Sequence, residues 1–284
     1  MRIDTDDTLL PVDKRPVIPA FVRTHSILRA SLAATGGRTT PARIHEAGAL
    51  RLRFPRVGGA CEGIILNTSG GIAGGDTLSV AFELHAGACA AITTQSAEKV
   101  YRSDGEAAAI ATTLELAAGA NLAWLPQETI LFDTARLSRR IDVAMAATAT
   151  LTLKETVVFG RAAMGETFAR GAFHDRWRIR RASRLILAED VRLDHDIAAT
   201  LARAATGHGA RAIATLLHVA PDAGNYLDGV RAILDSVGCD AGASAWNGML
   251  VVRLAGVEPH VVRAVFAHVL AHLLPGVSPR IWSC

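Results

Sequence analysis

Lysine, cysteine and long apolar runs are scarce in this 284-residue chain, and each scarcity excludes something. Lysine occurs only at Lys14, Lys99 and Lys154, so arginine supplies nearly all of the 30 basic residues, a bias that fits genomic composition. The formal charge is only +3. The four cysteines, Cys61, Cys89, Cys239 and Cys284, lie apart without C-x-x-C spacing, which argues against a disulfide framework or a zinc knuckle and for reduced thiols. Polar or charged residues interrupt every apolar stretch before it reaches membrane-spanning length, and the opening MRIDTDDTLLPVDKRP lacks the apolar segment of a signal peptide. A cytoplasmic protein without membrane contact is expected. A lysine is also missing from NTSGGIAGGDTLSV, Asn67 to Val80. That run fits the phosphate-binding pattern G-x-x-x-x-G-K-[ST] from Gly70 to Thr77, except that Asp76 stands where the lysine belongs. A carboxylate there would repel phosphates, and the alternation that follows starts a strand where a phosphate loop must open a helix.

What is present is apolar and periodic. Half the residues are hydrophobic and 20% are charged, ample for a sizeable core. The reading is a single domain over 1–284 with a loose, proline-punctuated arm over about 1–20. From Arg23 to about Leu193 short alternating runs are separated by glycine-alanine turns, the mark of an all-β body. Three runs resemble one another: ELHAGACAAITTQ from Glu83, ELAAGANLAWLPQ from Glu115 and AMAATATLTLKE from Ala144, 32 and then 29 residues apart. A strand, a tight turn and a second strand at near-constant period predict stacked coils, hence a mainly β, solenoid-like body; an ordinary sandwich is the alternative. Two helices are expected in the C-terminal part. One is YLDGVRAILDSV, capped by Asn225 and stopped at Gly238; the other starts near Pro259, with Val262, Val265, Phe266, Val269 and Leu273 inward. GMLVVRLAG between them reads as a strand. Arg176, Arg178 and Arg180 alternate with Trp177 and Ile179 and so share one strand face. With no recognition module beside it, that face is read as solvated or partner-facing rather than as a nucleic-acid site.

In order along the chain, GGIAGGD, TTQSAEKVYRS, WLPQETILF, GRAAMGETFARG, LDGVRAIL, DAGASAWNGMLVVRL and the terminal PRIW resemble the urease accessory protein family UreD, also called UreH. The resemblance spans nearly everything after the arm. It implies a β-helical body with paired helices near the C-terminus and no catalytic activity of its own. It also implies binding of apo-urease and UreF, attachment of the nickel-carrying GTPase UreG through UreF, and nickel passing transiently towards urease. GTP would then bind the partner, in keeping with the failed phosphate loop.

A nickel conduit needs groups that attract a divalent ion yet release it, which favours isolated carboxylates over histidine or thiolate clusters. The candidates are Asp76, Glu155 in LKETVVFGR, Glu166 in MGETF and Glu189 in LAEDVRLD. For Asp76 the other reading is a carboxylate that braces its own turn, and for the glutamates arginine-paired structural acids. Lys99 and Tyr101 are expected to brace the fold or an interface. His268 and His272 lie four apart on a helix but lack a third ligand, and Asp194-His195-Asp196 reads best as a helix-capping turn. Where many members of the family have His-Pro-Pro before the glycine loop, this chain has Asn67-Thr68-Ser69, so no metal role of that histidine transfers. A β-solenoid hydrolase using Glu155 and Glu166 as acid and base is the competing function.

Overall fold

The computed structural model describes residues 23–55, 61–103, 105–161, 164–277 and 279–283, so the expected arm, Cys284, Ala162 and Ala163 lie outside the described residues. Alternation dictates the strands. In β5 (Thr77–Leu84) Leu78, Val80, Phe82 and Leu84 are buried while Thr77, Ser79 and Glu83 face out. The body is a β-solenoid of about four turns.

One sheet runs in the order β2 (Arg38–Ala47), β1 (His25–Thr35), β5, β8 (Ala108–Leu116), β11 (Arg136–Met145), β13 (Arg170–Arg181), β14 (Arg184–Asp196). The second runs β3 (Leu50–Arg53), β4 (Cys61–Asn67), β6 (Cys89–Thr94), β9 (Asn121–Trp124), β12 (Thr150–Phe159), β15 (Ala212–Val219), β17 (Met249–Gly256), β16 (Asp240–Trp246). Short β7 (Glu98–Val100) and β10 (Thr129–Leu131) run parallel beside β12 as a third strip. Strands inside each stack are parallel. The outer pairs β1–β2, β13–β14 and β3–β4 are antiparallel, as are the β12–β15–β17–β16 steps.

The repeats seen in the sequence are successive coils. Glu83 pairs with Glu115 and Glu115 with Ala144. The turns also stack, with the amide of Ala88 bonded to His85 O, Ala120 to Ala117 O and Ala149 to Ala146 O. Gly87 and Gly119 take φ of 69° and 67° at the third turn position, where a side chain would be strained. The register shifts within β1–β2 between Ser31 and Leu32 and within β13–β14 between Ile179 and Arg180.

Leu32, Phe82, Leu114, Leu153, Phe173 and Trp177 belong to the core between the sheets. A second core lies between the second sheet and helices α2 (Leu227–Leu234) and α3 (Pro259–Leu273). Pro259 opens α3, and Val262, Val265, Phe266, Val269 and Leu273 are buried as read from the sequence. Asn225 is not the cap of α2: it lies in a 3-10 turn over Ala223–Tyr226, Tyr226 holds the cap position, and α2 ends at Leu234, short of Gly238. The later part also holds more strand than its sequence suggested, with β15 and β16 beside the expected β17. Short α1 (Ile197–Ala202) starts where Asp196 accepts from the Ala199 amide, the capping turn expected for Asp194-His195-Asp196.

Candidate functional site

The glycine loop joins β4 to β5, and its glycines let the neighbouring coil press against it. A side chain at Gly71 would lie 2.6 Å from the Tyr101 ring, and one at Gly74 2.1 Å from Ser103 Oγ. Tyr101 donates its hydroxyl to Gly70 O and sets its ring edge-on to Phe132, whose face carries the Arg161 guanidinium. Tyr101 thus braces this corner, while Lys99 is exposed. Asp76 is 5% exposed and already engaged: Oδ1 accepts from the Thr24 amide at 2.7 Å and Oδ2 from the Ala73 amide at 2.8 Å. It closes its own turn and ties β1 to the loop. An alanine there would strand both donors, at about 1–3 kcal/mol each.

The three candidate glutamates meet arginines. Glu189 pairs with Arg253 at 2.5 Å, and Glu166 pairs with Arg161 while accepting from the Asp133 amide at 3.0 Å. Arg161 holds the Glu166 carboxyl below its ordinary value. Glu155 points into the core between the sheets. Its Oε2 is 2.5 Å from Arg139 Nη1 and its Oε1 accepts from Trp124 Nε1 at 3.2 Å. Arg139 also grips Asp175 through Nε at 3.0 Å and Nη2 at 2.6 Å, and Trp177 Nε1 donates to Asp175. Burial opposes charge on Arg139, but the two carboxylates outweigh it and keep the guanidinium protonated. Burial lifts the Glu155 carboxyl, against the pull of Arg139.

The four acids do not converge, and no group of three or more metal-ligating residues occurs among the described residues. His268 and His272 are exposed on α3; His272 meets the edge of Tyr226. Among the described residues, Glu155 and Glu166 line none of the cavities of about 540, 530 and 140 Å³, so none of these holds the acid–base pair a hydrolase would need. Cys61, Cys89 and Cys239 are free thiols. No helix among the described residues is long and apolar enough to cross a membrane.

Sequence reasoning passed over Glu98. It lines the 140 Å³ cavity with Asn67, Thr94, Gln95 and Ser96, and accepts from Asn67 Nδ2 at 3.0 Å. Asn67 also accepts from the Ser69 amide, so the segment in place of His-Pro-Pro forms a polar turn that leans on this acid. Burial is the main influence and pushes the Glu98 carboxyl up to about 7, against the Asn67 hydrogen bond. The folded form therefore holds a proton between about pH 4.5 and 7 that the unfolded chain has lost, and stability falls as pH rises through that window. Glu98→Gln should flatten the fall and be more stable at pH 8 by up to about 3 kcal/mol, checked by urea unfolding across pH. Equal pH profiles for the two proteins would refute this.

A family model described as UreD urease accessory protein matches residues 25–283. Urease accessory protein UreD of Methylobacterium sp. (strain 4-46) is 50% identical over 261 residues, covering 90% of this chain and 92% of that protein. Urease accessory protein UreD 2 of Methylorubrum populi is 46% identical over 282 residues, covering 96% and 95%. A match that runs from the first strand to the C-terminal turn leaves one conclusion: this chain belongs to the UreD family of urease accessory proteins.

Proposed function

We propose that this urease accessory protein is a non-catalytic, cytoplasmic scaffold that binds apo-urease and UreF, with UreG joined through UreF, and helps deliver nickel to the urease centre. The observation that carries this reading is the family match over 25–283 together with relatives named as urease accessory proteins along nine-tenths of their length. Nickel is cargo in this proposal, not a resident cofactor.

The partnered acids narrow how Asp76, Glu155, Glu166 and Glu189 could serve a transient nickel path. Asp76 and Glu155 are buried, and their oxygens already hold amides, Arg139 and Trp124. An ion could gain them only by displacing a partner. Glu166 and Glu189 hold single arginines, Arg161 and Arg253, nearer solvent, so an exchange there costs less. We therefore place the more accessible part of any such path at Glu166 and Glu189.

Reconstitution of urease activation from purified apo-urease, UreF, UreG, nickel and GTP tests the proposal. Activation should be at least about tenfold greater with this chain than without it. Glu166→Gln with Glu189→Gln should leave assembly intact and lower nickel incorporation. Activation independent of the chain would overturn the scaffold role; full incorporation by the double variant would remove those two acids from the path.

A further inference from the structure

Strands β5, β8, β11 and β13 of the first sheet turn alternate side chains outward, and the charges on that face are not balanced. On β11 and β13 the inward residues are Leu137, Arg139, Ile141, Val143, Met145, Phe173, Asp175, Trp177 and Ile179, which leaves Arg140, Arg176, Arg178 and Arg180 on the outer side. Register sets Arg140 directly beside Arg176. Adjacent strands are about 4.8 Å apart, and like charges so placed destabilise a sheet. The side chains of Arg140, Arg176 and Arg180 make no hydrogen bond or ion pair with any described residue. The acid paired with Arg176 across β13–β14 is Asp190, and that carboxylate is taken by His174 at 3.0 Å and Arg178 at 3.7 Å.

Beyond the arginines the floor is low. Ser138 and Ala144 on β11, Ala111 and Thr113 on β8, and Ser79 and Ala81 on β5 offer little that would hold a partner off. Helices α2 and α3 lie against the second sheet, and among the described residues no helix packs on the outer face of this one. A chain that keeps unpaired guanidinium groups side by side on a flat, open face bears a cost that an external anion would relieve.

We propose that the outer face of β11 and β13, centred on Arg140, Arg176 and Arg180, is a docking surface for a carboxylate-rich protein surface. Guanidinium forks match carboxylates two bonds at a time, which suits a fixed array on a rigid sheet. A uniform polyphosphate chain fits less well, because Asp142 opposite Arg178 and the stacked Glu83 and Glu115 beside the array would repel it, whereas a protein surface can set carboxylates over the arginines and neutral or basic side chains over those acids. Among the described residues the outer sides of β11 and β13 carry no Phe, Tyr or Trp on which bases could stack, and the one imidazole there, His174, is engaged by Asp190. The choice of candidate partners rests on the urease-maturation reading; the assignment of the surface does not.

The test uses the full chain and Arg140→Glu/Arg176→Glu, with binding measured to apo-urease, to UreF, to poly-L-glutamate and to polyuridylate at 50 and 300 mM NaCl. The proposal expects one of the two proteins, and poly-L-glutamate, to bind the double variant about tenfold more weakly at 50 mM salt, with less salt dependence than wild type. Arg140→Glu alone, which sets a carboxylate beside Arg176, should melt no lower than wild type while binding more weakly, so lost affinity cannot be assigned to misfolding. Unchanged binding of both proteins and of poly-L-glutamate overturns the proposal. Loss confined to polyuridylate also overturns it and assigns the face to nucleic acid. If wild type binds neither protein but binds poly-L-glutamate through these arginines, the surface stands and the partner reading fails.

Discussion

Arg139→Met should lower the free energy of unfolding by about 3–5 kcal/mol, because it leaves Glu155 and Asp175 facing each other in the core with no cation between them. Arg139 is 5% exposed, Glu155 and Asp175 each 7%, so water cannot take over the guanidinium's task. The three residues come from β11, β12 and β13 and hold the two sheets in one relative position. Adding Glu155→Gln and Asp175→Asn to Arg139→Met should recover most of the loss, since each amide keeps an oxygen for its tryptophan while removing the unpaired charge. Urea unfolding of the single and triple variants checks both statements. A loss below about 1 kcal/mol for Arg139→Met would mean that the charges escape by protonation or by admitting water.

The second large effect concerns alkaline pH. Lys154 lies between the second sheet and α3, donating to Pro126 O at 3.2 Å, with the faces of Trp282 at 4.6 Å and Phe266 at 6.0 Å. Burial is the dominant influence and brings its amine down to about 8; Glu128 and Glu155 pull it part of the way back. Between about pH 8 and 10.5 the unfolded chain keeps a proton that the folded one has lost, so folding becomes more favourable as pH rises, by up to about 3 kcal/mol. Lys154→Met should be the more stable protein at pH 7 and should lack this rise. The thiols of Cys61, Cys89 and Cys239, pushed up by burial, act in the opposite direction, so the difference between the two proteins across pH is the quantity to measure. Parallel profiles would show that Lys154 does not titrate in this range.

The coil repeat was legible in the sequence because every coil buries the same alternating positions and turns at the same offset, as Glu83, Glu115 and Ala144 show. β15 was not. Leu217 and Val219 face one core while Ala214 and Leu216 face the other, so burial on both sides erases the alternation that marks a strand. The partners of the acids were hidden for a different reason. Arg139 and Asp175 meet only because two coils stack in register, and no local pattern carries that contact. One signal was available in RLSRRIDVAM: Leu137, Arg139, Ile141 and Val143 share the inward side, and an arginine at a core position requires a buried acid. The same alternation places Arg140 outside. For Asp76 the choice between turn brace and metal ligand depended on two backbone amides whose positions composition does not disclose.

The antiparallel strands at either end of the parallel stack limit growth. A bare parallel coil presents a ladder of unused amides and carbonyls that a second copy could continue without end. Here β1–β2 and β13–β14 reverse direction, each carries a register shift that bends the margin, and Pro41 deprives β2 of one donor. A template that would otherwise seed fibres is thereby blunted at both termini, and a longer relative built on this plan would have to gain its extra coils internally, between β5 and β12.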